Sequence, residues 1–220
     1  MALAYQTALT IESVIKDIDS KKYLLPSIQR EFVWSTGQIE KLLMRDYPIN
    51  AFLLWKVPRE KVSEFKFYEF LRDYHQKDNK HNPKANTNGT EDIIAILDGQ
   101  QRMTSLYIAL KGTYAYKMSY KRWDNPAAYP KRKLYLNLLA ASDDADMFYD
   151  FLFLTEEEAK NIKNDNDEYE GAFWFPVGKI LDFREESDVN DYLIDNDLNT
   201  VADKAQAKFA NKALFKLYSV

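Results

Sequence analysis

The feature that most constrains the fold is an apolar strand that passes directly into a helix through five polar residues. Residues 92–98, DIIAILD, form an apolar run with the length of one buried strand. Asp-Gly-Gln-Gln-Arg occupies residues 98–102, and an apolar stripe at helical spacing follows at Met103, Leu106, Tyr107 and Leu110. The pattern predicts a strand, a tight turn and a helix that is capped by Gly112.

Other segments carry strand and helix patterns of their own. Thr10 is a suitable N-cap for a helix whose apolar stripe is Ile11, Val14, Ile15 and Ile18. Ser35 and Gln38 have the form of a capping box, which predicts a second helix to about Arg45. Strands are predicted at residues 23–26, 51–57, 65–70, 113–119 and 133–139, with 65–70 pairing with 51–57. The sequence therefore predicts an α/β (α+β) fold.

The charge distribution divides the chain near residue 142. Residues 143–203 contain 19 acids and four bases, whereas residues 1–142 carry a net charge of +7. We expect a first domain over residues 1–142 and an acidic, mostly helical extension over residues 143–220, whose acidic face is solvated. The polar residues 76–92 predict a mobile loop. The last helix lacks a closing residue before Val220, which favours a piece of a longer protein.

Composition narrows the class of protein. There is no cysteine, so disulfides and thiolate metal sites are excluded. The sequence has no apolar stretch long enough to cross a membrane. Its first residues lack the basic and apolar regions of a signal peptide. We expect a cytoplasmic protein that does not bind membranes.

The polar turn has the chemistry of a phosphate site. The first N–H groups of a helix lack acceptors within the helix and attract anions. Gly99 permits a sharp turn and a close approach, while Arg102 offers a planar fork for phosphate oxygens. Gln100 and Gln101 can hydrogen-bond a phosphate or an attacking water, and Asp98 can cap the helix or bind Mg²⁺. The same residues also fit a structural turn with Asp98 as N-cap, and both interpretations stay open.

Two further stretches carry cationic groups. Gln29 and Arg30 lie among large apolar residues, where a buried arginine needs a partner, and we expect them to line the cleft of the polar turn. Residues 111–133 contain seven bases and one acid, which favours either weak, salt-sensitive DNA binding or a solvated basic loop. The expected DNA contacts are Lys121, Arg122, Lys131, Arg132 and Lys133.

Three motifs together resemble a known family. They are Pro26-x-x-Gln29-Arg30-x-Phe32-x-Trp34, then Tyr47-Pro48-Ile49, then Asp98-Gly99-Gln100-Gln101-Arg102 followed by Thr104. Over about residues 8–140 the chain resembles the N-terminal domain of GmrSD-type modification-dependent restriction endonucleases, which is a member of the ParB/sulfiredoxin-like superfamily. Asn50 stands where that family usually has glycine.

The resemblance implies a ParB-like mixed-sheet domain that binds a nucleoside triphosphate with Mg²⁺ and regulates a phage-restricting DNA endonuclease. It implies catalytic roles for Asp98, Gln100, Gln101 and Arg102, with Asp98 as the metal ligand. The implied nucleotide contacts are Gln29, Arg30, Asp98, Gly99, Gln100, Gln101, Arg102 and Thr104. It also implies a C-terminal nuclease domain in the full-length protein.

Two rival functions stay open at this point. One is a non-catalytic module that senses nucleotide or DNA without turnover, and the other is a ParB-like DNA nickase. Phosphate release separates the NTPase from the sensor, and nicking of a plasmid identifies the nickase. The sequence leaves open which nucleotide binds, whether it is hydrolysed, and whether the chain forms a homodimer.

Overall fold

A computed structural model describes residues 9–28, 31–43, 51–88, 92–160, 172–201 and 203–219. The strands are β1 Tyr23–Pro26, β2 Leu53–Val57, β3 Phe67–Tyr68, β4 Asp73–His75, β5 Ile93–Asp98, β6 Thr113–Ala115, β7 Lys133–Ala141, β8 Tyr149–Leu154 and β9 Trp174–Pro176. The α-helices are α1 Ile11–Asp19, α2 Thr36–Glu40, α3 Arg59–Val62, α4 Gln100–Lys111, α5 Glu156–Lys160, α6 Glu186–Asp195 and α7 Lys204–Tyr218. Helices and mixed sheets occur together, which confirms the predicted α+β class.

The strand before the polar turn lies inside a four-stranded sheet of order β2-β5-β1-β3. β5 runs parallel to β1 and antiparallel to β2, and Ala95 lies opposite both Leu24 and Trp55. Ile93, Ala95 and Ile96 of β5 are buried, which accounts for most of its apolar run, whereas Leu97 is exposed. Because β1 and β5 are parallel, their C-terminal ends lie at the same edge of the sheet. The chain that follows Pro26 and the turn that follows Asp98 therefore start from one edge.

The predicted pairing of residues 65–70 with 51–57 is wrong. β3 pairs with β1, with Leu25 opposite Tyr68, and so lies at the edge of the sheet opposite β2. Residues 58–66 contain α3, so the connection between β2 and β3 is not a tight hairpin.

Helix α2 begins at the predicted capping box. The Ser35 N–H donates to Gln38 Oε1 at 2.9 Å. The helix ends at Glu40 with Lys41 as its C-cap, earlier than the predicted end near Arg45. The Tyr47-Pro48-Ile49 motif and Asn50 lie outside the described residues.

Helix α4 is surrounded by the core. Residues 103–110 are all buried, and they pack against α2, β7 and a 3₁₀ segment at Val177–Asp182. Gly112 is the C-cap, as predicted, but its φ of −110° is not left-handed. A Cβ at Gly112 would lie 1.8 Å from the Arg72 carbonyl oxygen, so the close approach of the chain just before β4 requires glycine there.

A second sheet has the order β8-β7-β9 and is covered by α7. Residues 149–154 form β8, so the predicted helical character of this stretch is wrong. Tyr149, Phe151 and Phe153 are buried in alternation, which is the period of a strand. Since β7 pairs with both β8 and β9, the sheet crosses the division drawn at residue 142, which marks a change of charge and not a break in hydrogen bonding.

Much of the chain after β9 is helical, as expected, with α6 and α7 packed together. Across the described ranges, no helix is long and apolar enough to span a bilayer.

Part of the polar stretch 76–92 packs on the first sheet. The Ala85 N–H donates to the Phe67 carbonyl at 2.9 Å, and Ala85 is buried. Ala85 is therefore hydrogen-bonded to β3. The prediction of a mobile loop did not include this contact.

Candidate functional site

The turn between β5 and α4 depends on a left-handed glycine. Gly99 is the N-cap of α4 with φ +87°, and no side chain caps this helix. The prediction that Asp98 serves as N-cap is therefore wrong. Helical bonding starts with the Met103 N–H on the Gly99 carbonyl at 2.9 Å. The N–H groups of residues 100–102 consequently have no acceptor within the helix.

The guanidinium of Arg102 lies beside this uncapped end. Its Nη2 donates to Asp98 Oδ2 and to the Ala51 carbonyl, both at 3.3 Å. The guanidinium carbon also lies 4.9 Å from the centre of the Phe52 ring, within the range of a cation–π contact. The Arg102 side chain is only 18% exposed, whereas that of Asp98 is 72% exposed. Arg102 is thus held by the two residues just before β2, whereas its partner, the Asp98 carboxylate, is mainly in water.

The two glutamines hold the neighbouring chain. Gln101 accepts from the Val33 N–H at 3.1 Å and donates to the Glu31 carbonyl at 2.9 Å. Gln100 donates to the Ile96 carbonyl at 2.9 Å and lies 3.5 Å from the Ile28 carbonyl. The oxygen and the nitrogen of the Gln101 side-chain amide both form hydrogen bonds with backbone groups. Gln101 therefore positions the 31–33 segment and does not orient water in this arrangement.

The remaining predicted nucleotide contacts are Thr104, Gln29 and Arg30. Thr104 is 3% exposed, and its hydroxyl donates to the Gln100 carbonyl at 2.8 Å. As a ligand contact Thr104 stays a prediction, and in this structure its hydroxyl faces the helix and the core. Gln29 and Arg30 lie outside the described residues. Ile28 and Glu31, the residues on either side of that pair, are both joined to the first turn of α4.

A comparison against protein families found a match. The chain matches the model described as GmrSD restriction endonuclease, N-terminal domain, over residues 11–219. The chain belongs to this family. A comparison with curated proteins found no match. Membership of this family links the chain to restriction endonucleases. The matched residues include the acidic stretch 143–203 and α7.

Sequence reasoning missed the contribution of the residues just before β2 to this site. Ala51 and Phe52 contact Arg102 although they lie about fifty positions earlier in the chain. An apolar strand gives no local signal of such a contact, since its residues look the same whether they face the core or a guanidinium.

Metal binding in this GmrSD domain remains a prediction. In the described ranges, no group of three or more histidine and acidic side chains could hold a metal ion. Asp98 offers an exposed carboxylate at the turn. One or two carboxylates with phosphate oxygens are a usual Mg²⁺ environment, which is why Asp98 stays the predicted metal ligand.

The basic residues of the GmrSD domain divide into two groups. Lys121, Arg122, Lys131 and Lys133 are exposed. Arg132 is 5% exposed, with its guanidinium 4.0 Å from the centre of the Tyr116 ring and donating to the carbonyls of Tyr116 and Pro130. As a DNA contact Arg132 stays a prediction, and in this structure its buried cation holds the backbone at Tyr116 and Pro130.

A half-buried carboxyl pair also escaped the sequence reasoning. Glu40, at the end of α2, accepts the Phe153 N–H at 3.1 Å. Burial raises the pKa of the Glu40 carboxyl to about 7, and the nearby charge of Asp150 acts in the same direction. Burial likewise raises the pKa of Asp150, which accepts from Asn137. A lone glutamate that ends a short helix gives no sequence signal for this environment.

Proposed function

We propose that this chain is the nucleoside-triphosphate-binding, and hydrolysing, regulatory domain of a phage-restricting, modification-dependent DNA endonuclease. One observation carries the proposal: an arginine held against the uncapped N-terminus of α4, beyond a buried strand and a left-handed glycine. Anions are stabilised at such an end by N–H groups that have no acceptor within the helix, and a neighbouring guanidinium adds a bidentate partner for phosphate.

The contacts of Arg102 would allow a phosphate to replace the Asp98 carboxylate on its guanidinium. Its ion pair with Asp98 joins a cation that is mainly buried to a carboxylate that is mainly in water. A phosphate at the helix end would replace the Asp98 oxygen on Nη2, while the Ala51 carbonyl and the Phe52 ring keep the guanidinium in place. The released Asp98 carboxylate would then face Mg²⁺ between phosphate oxygens.

For hydrolysis, Gln100 is the proposed residue that orients water, because Gln101 is held at both ends of its amide. Arg102 would stabilise the charge that develops on the transferred phosphoryl group. In the full-length protein, the nucleotide state would control a nuclease domain. Release of inorganic phosphate separates this NTPase from a domain that only senses nucleotide.

The test is the thermal stability of the chain with ATP, GTP, CTP or UTP and Mg²⁺, for the wild type and for Arg102→Ala. At about a hundred times its dissociation constant, a bound nucleotide adds about 2.7 kcal/mol to the free energy of unfolding. We expect Arg102→Ala to weaken binding by about 1.5–3 kcal/mol, the range for hydrogen bonds to charged groups. Arg102→Lys should be nearly as harmful, since an ammonium cannot make the bidentate contact.

Arg59→Ala is the matched control, because Arg59 is an exposed arginine of α3. Each variant is compared with its own melting curve without nucleotide, which separates lost binding from lost stability. Wild-type affinity in a folded Arg102→Ala, or no shift with any of the four nucleotides, would reject the proposed phosphate site.

Direct DNA contact is a second candidate function, supported by the four exposed cations Lys121, Arg122, Lys131 and Lys133. Changing all four to alanine should flatten the dependence of DNA affinity on salt, since each lost contact to duplex phosphate removes about 0.9 from the logarithmic slope. Arg132→Ala should instead lower stability and leave the slope unchanged. The measurement is the affinity for a duplex at several salt concentrations. A slope that stays the same in the fourfold variant contradicts DNA contact at this loop.

A further inference from the structure

The loop at residues 117–123, KMSYKRW, exposes two aromatic rings with two cations between them in sequence. Tyr120 has a relative exposure of 105% and a left-handed φ of +62°. Trp123 is 50% exposed. A side chain that is wholly in water gains nothing from burial, and a left-handed backbone is costly for a residue other than glycine. Folding alone therefore does not account for tyrosine at this position.

The loop is held in place by specific contacts at its base. The Met118 N–H donates to the Ala128 carbonyl at 2.7 Å. The Lys117 ammonium donates to the carbonyls of Met118 and Lys121 at 3.0 and 2.9 Å. The Tyr129 hydroxyl donates to the Trp123 carbonyl at 2.9 Å. The two rings are thus presented from a hydrogen-bonded turn.

The base of the loop is also an aromatic stack. The edge of the Trp123 ring contacts Tyr129, with ring centres 5.9 Å apart. Tyr129 lies on the His75 ring at 4.9 Å, and His75 belongs to β4. This stack connects the loop to the core, so a ligand that stacks on the loop meets a surface that is already ordered.

The loop carries positive charge on exposed side chains. Lys121 and Arg122 lie between the two rings in sequence and are both exposed. Asp124 is the acid next to them, and its oxygen is 3.7 Å from Arg122 Nε. Both side chains of this pair are more than three-quarters exposed, so the pair is weak and screened by salt. A phosphate could therefore replace the Asp124 carboxylate on Arg122.

From these observations we propose that the 117–123 loop binds unpaired nucleotides of single-stranded DNA, with Tyr120 stacking on a base and with Lys121 and Arg122 on the flanking phosphates. Rings alternating with cations are the usual composition of single-strand sites, because every base has a face for stacking. In a duplex those faces are covered by neighbouring bases, so the rings add nothing unless a base is extruded. This inference does not depend on nucleotide binding at α4.

The test compares a labelled oligothymidine with a duplex of the same length by fluorescence anisotropy, using the 220-residue chain. We expect Tyr120→Gly and Tyr120→Ala to weaken single-strand binding about 5- to 100-fold, the range for loss of one stacked base. Tyr120→Phe should retain binding, because stacking needs the ring and not the hydroxyl. Duplex binding should change little in all three variants. Oligothymidine should also quench the fluorescence of Trp123, measured as a difference from Trp123→Phe.

Tyr120→Gly separates this role from a structural one. Glycine fits the left-handed backbone, so this variant should melt at the same or a higher temperature than the wild type while losing single-strand affinity. Phe148→Ala is the control, because Phe148 is also an exposed aromatic, at 56% against 105% for Tyr120, but it lies close in sequence to the acids Asp144 and Asp146. Wild-type single-strand affinity in Tyr120→Gly, or an equal loss for single strand and duplex, would overturn the proposal.

Discussion

Gly99→Ala is expected to lower the free energy of unfolding by about 2–4 kcal/mol. Two costs add at this residue. The backbone has φ +87°, which costs an L-residue about 1–2 kcal/mol. An added Cβ would lie 2.4 Å from Phe52 Cδ1 and 3.2 Å from Arg102 Nη2. The ring cannot move away freely, because the Arg102 guanidinium lies over it and bonds the Ala51 carbonyl.

Gly37→Ala is the matched control for Gly99→Ala. Gly37 lies within α2, and the nearest atom to an added Cβ is Glu40 Oε2 at 3.8 Å. Alanine there should be neutral or stabilising by about 0.5–1 kcal/mol, since helix formation costs glycine more entropy. Urea denaturation of both variants gives the two values. Equal stability of Gly99→Ala and Gly37→Ala would show that neither the left-handed turn nor the Phe52 contact constrains residue 99.

The β5–α4 unit was predictable because its signals are local. The apolar run, the Asp-Gly step and the helical stripe lie within twenty residues, and the structure has a strand, a left-handed glycine and a helix in that order. The partners of Arg102 were not predictable in the same way. They lie just before β2, and their position depends on which strand pairs with β5, a choice made by the whole sheet.

Two segments show that position along a strand matters more than composition. Acids and a helix start surround residues 149–154, but Tyr149, Phe151 and Phe153 have the period of a strand. Arg132 shares its positive charge with Lys131 and Lys133, but it is buried. On a strand, neighbouring residues point to opposite faces, so a buried arginine between two exposed lysines fits the period of the segment that leads into β7.

The carboxyl of Glu40 should make the stability of the chain depend on pH near neutrality. Burial raises its pKa from 4.5 to about 7 in the folded chain, while the unfolded chain keeps an ordinary value. Between these pH values the native state binds a proton that the unfolded state has released. The free energy of unfolding therefore falls as pH rises from about 4.5 to 7, and this contribution is constant outside that window.

Glu40→Gln should remove this loss and make the chain more stable at pH 8 by up to about 3 kcal/mol, with little difference at pH 4.5. The amide oxygen of glutamine can still accept the Phe153 N–H, so the packing of α2 on β8 is retained. Asp150 is present in both proteins, and its own raised pKa contributes a slope of the same sign, so the difference between the two proteins mainly reports Glu40.

Glu64→Gln makes the same change in charge at an exposed glutamate after α3 and controls for net charge. Urea denaturation of the three proteins from pH 4.5 to 8 provides the curves. If the free energies of unfolding of Glu40→Gln and the wild type change with pH in parallel over this range, the Glu40 carboxyl ionises without lowering stability. In that case Glu40 is not buried in solution as it is in the structure.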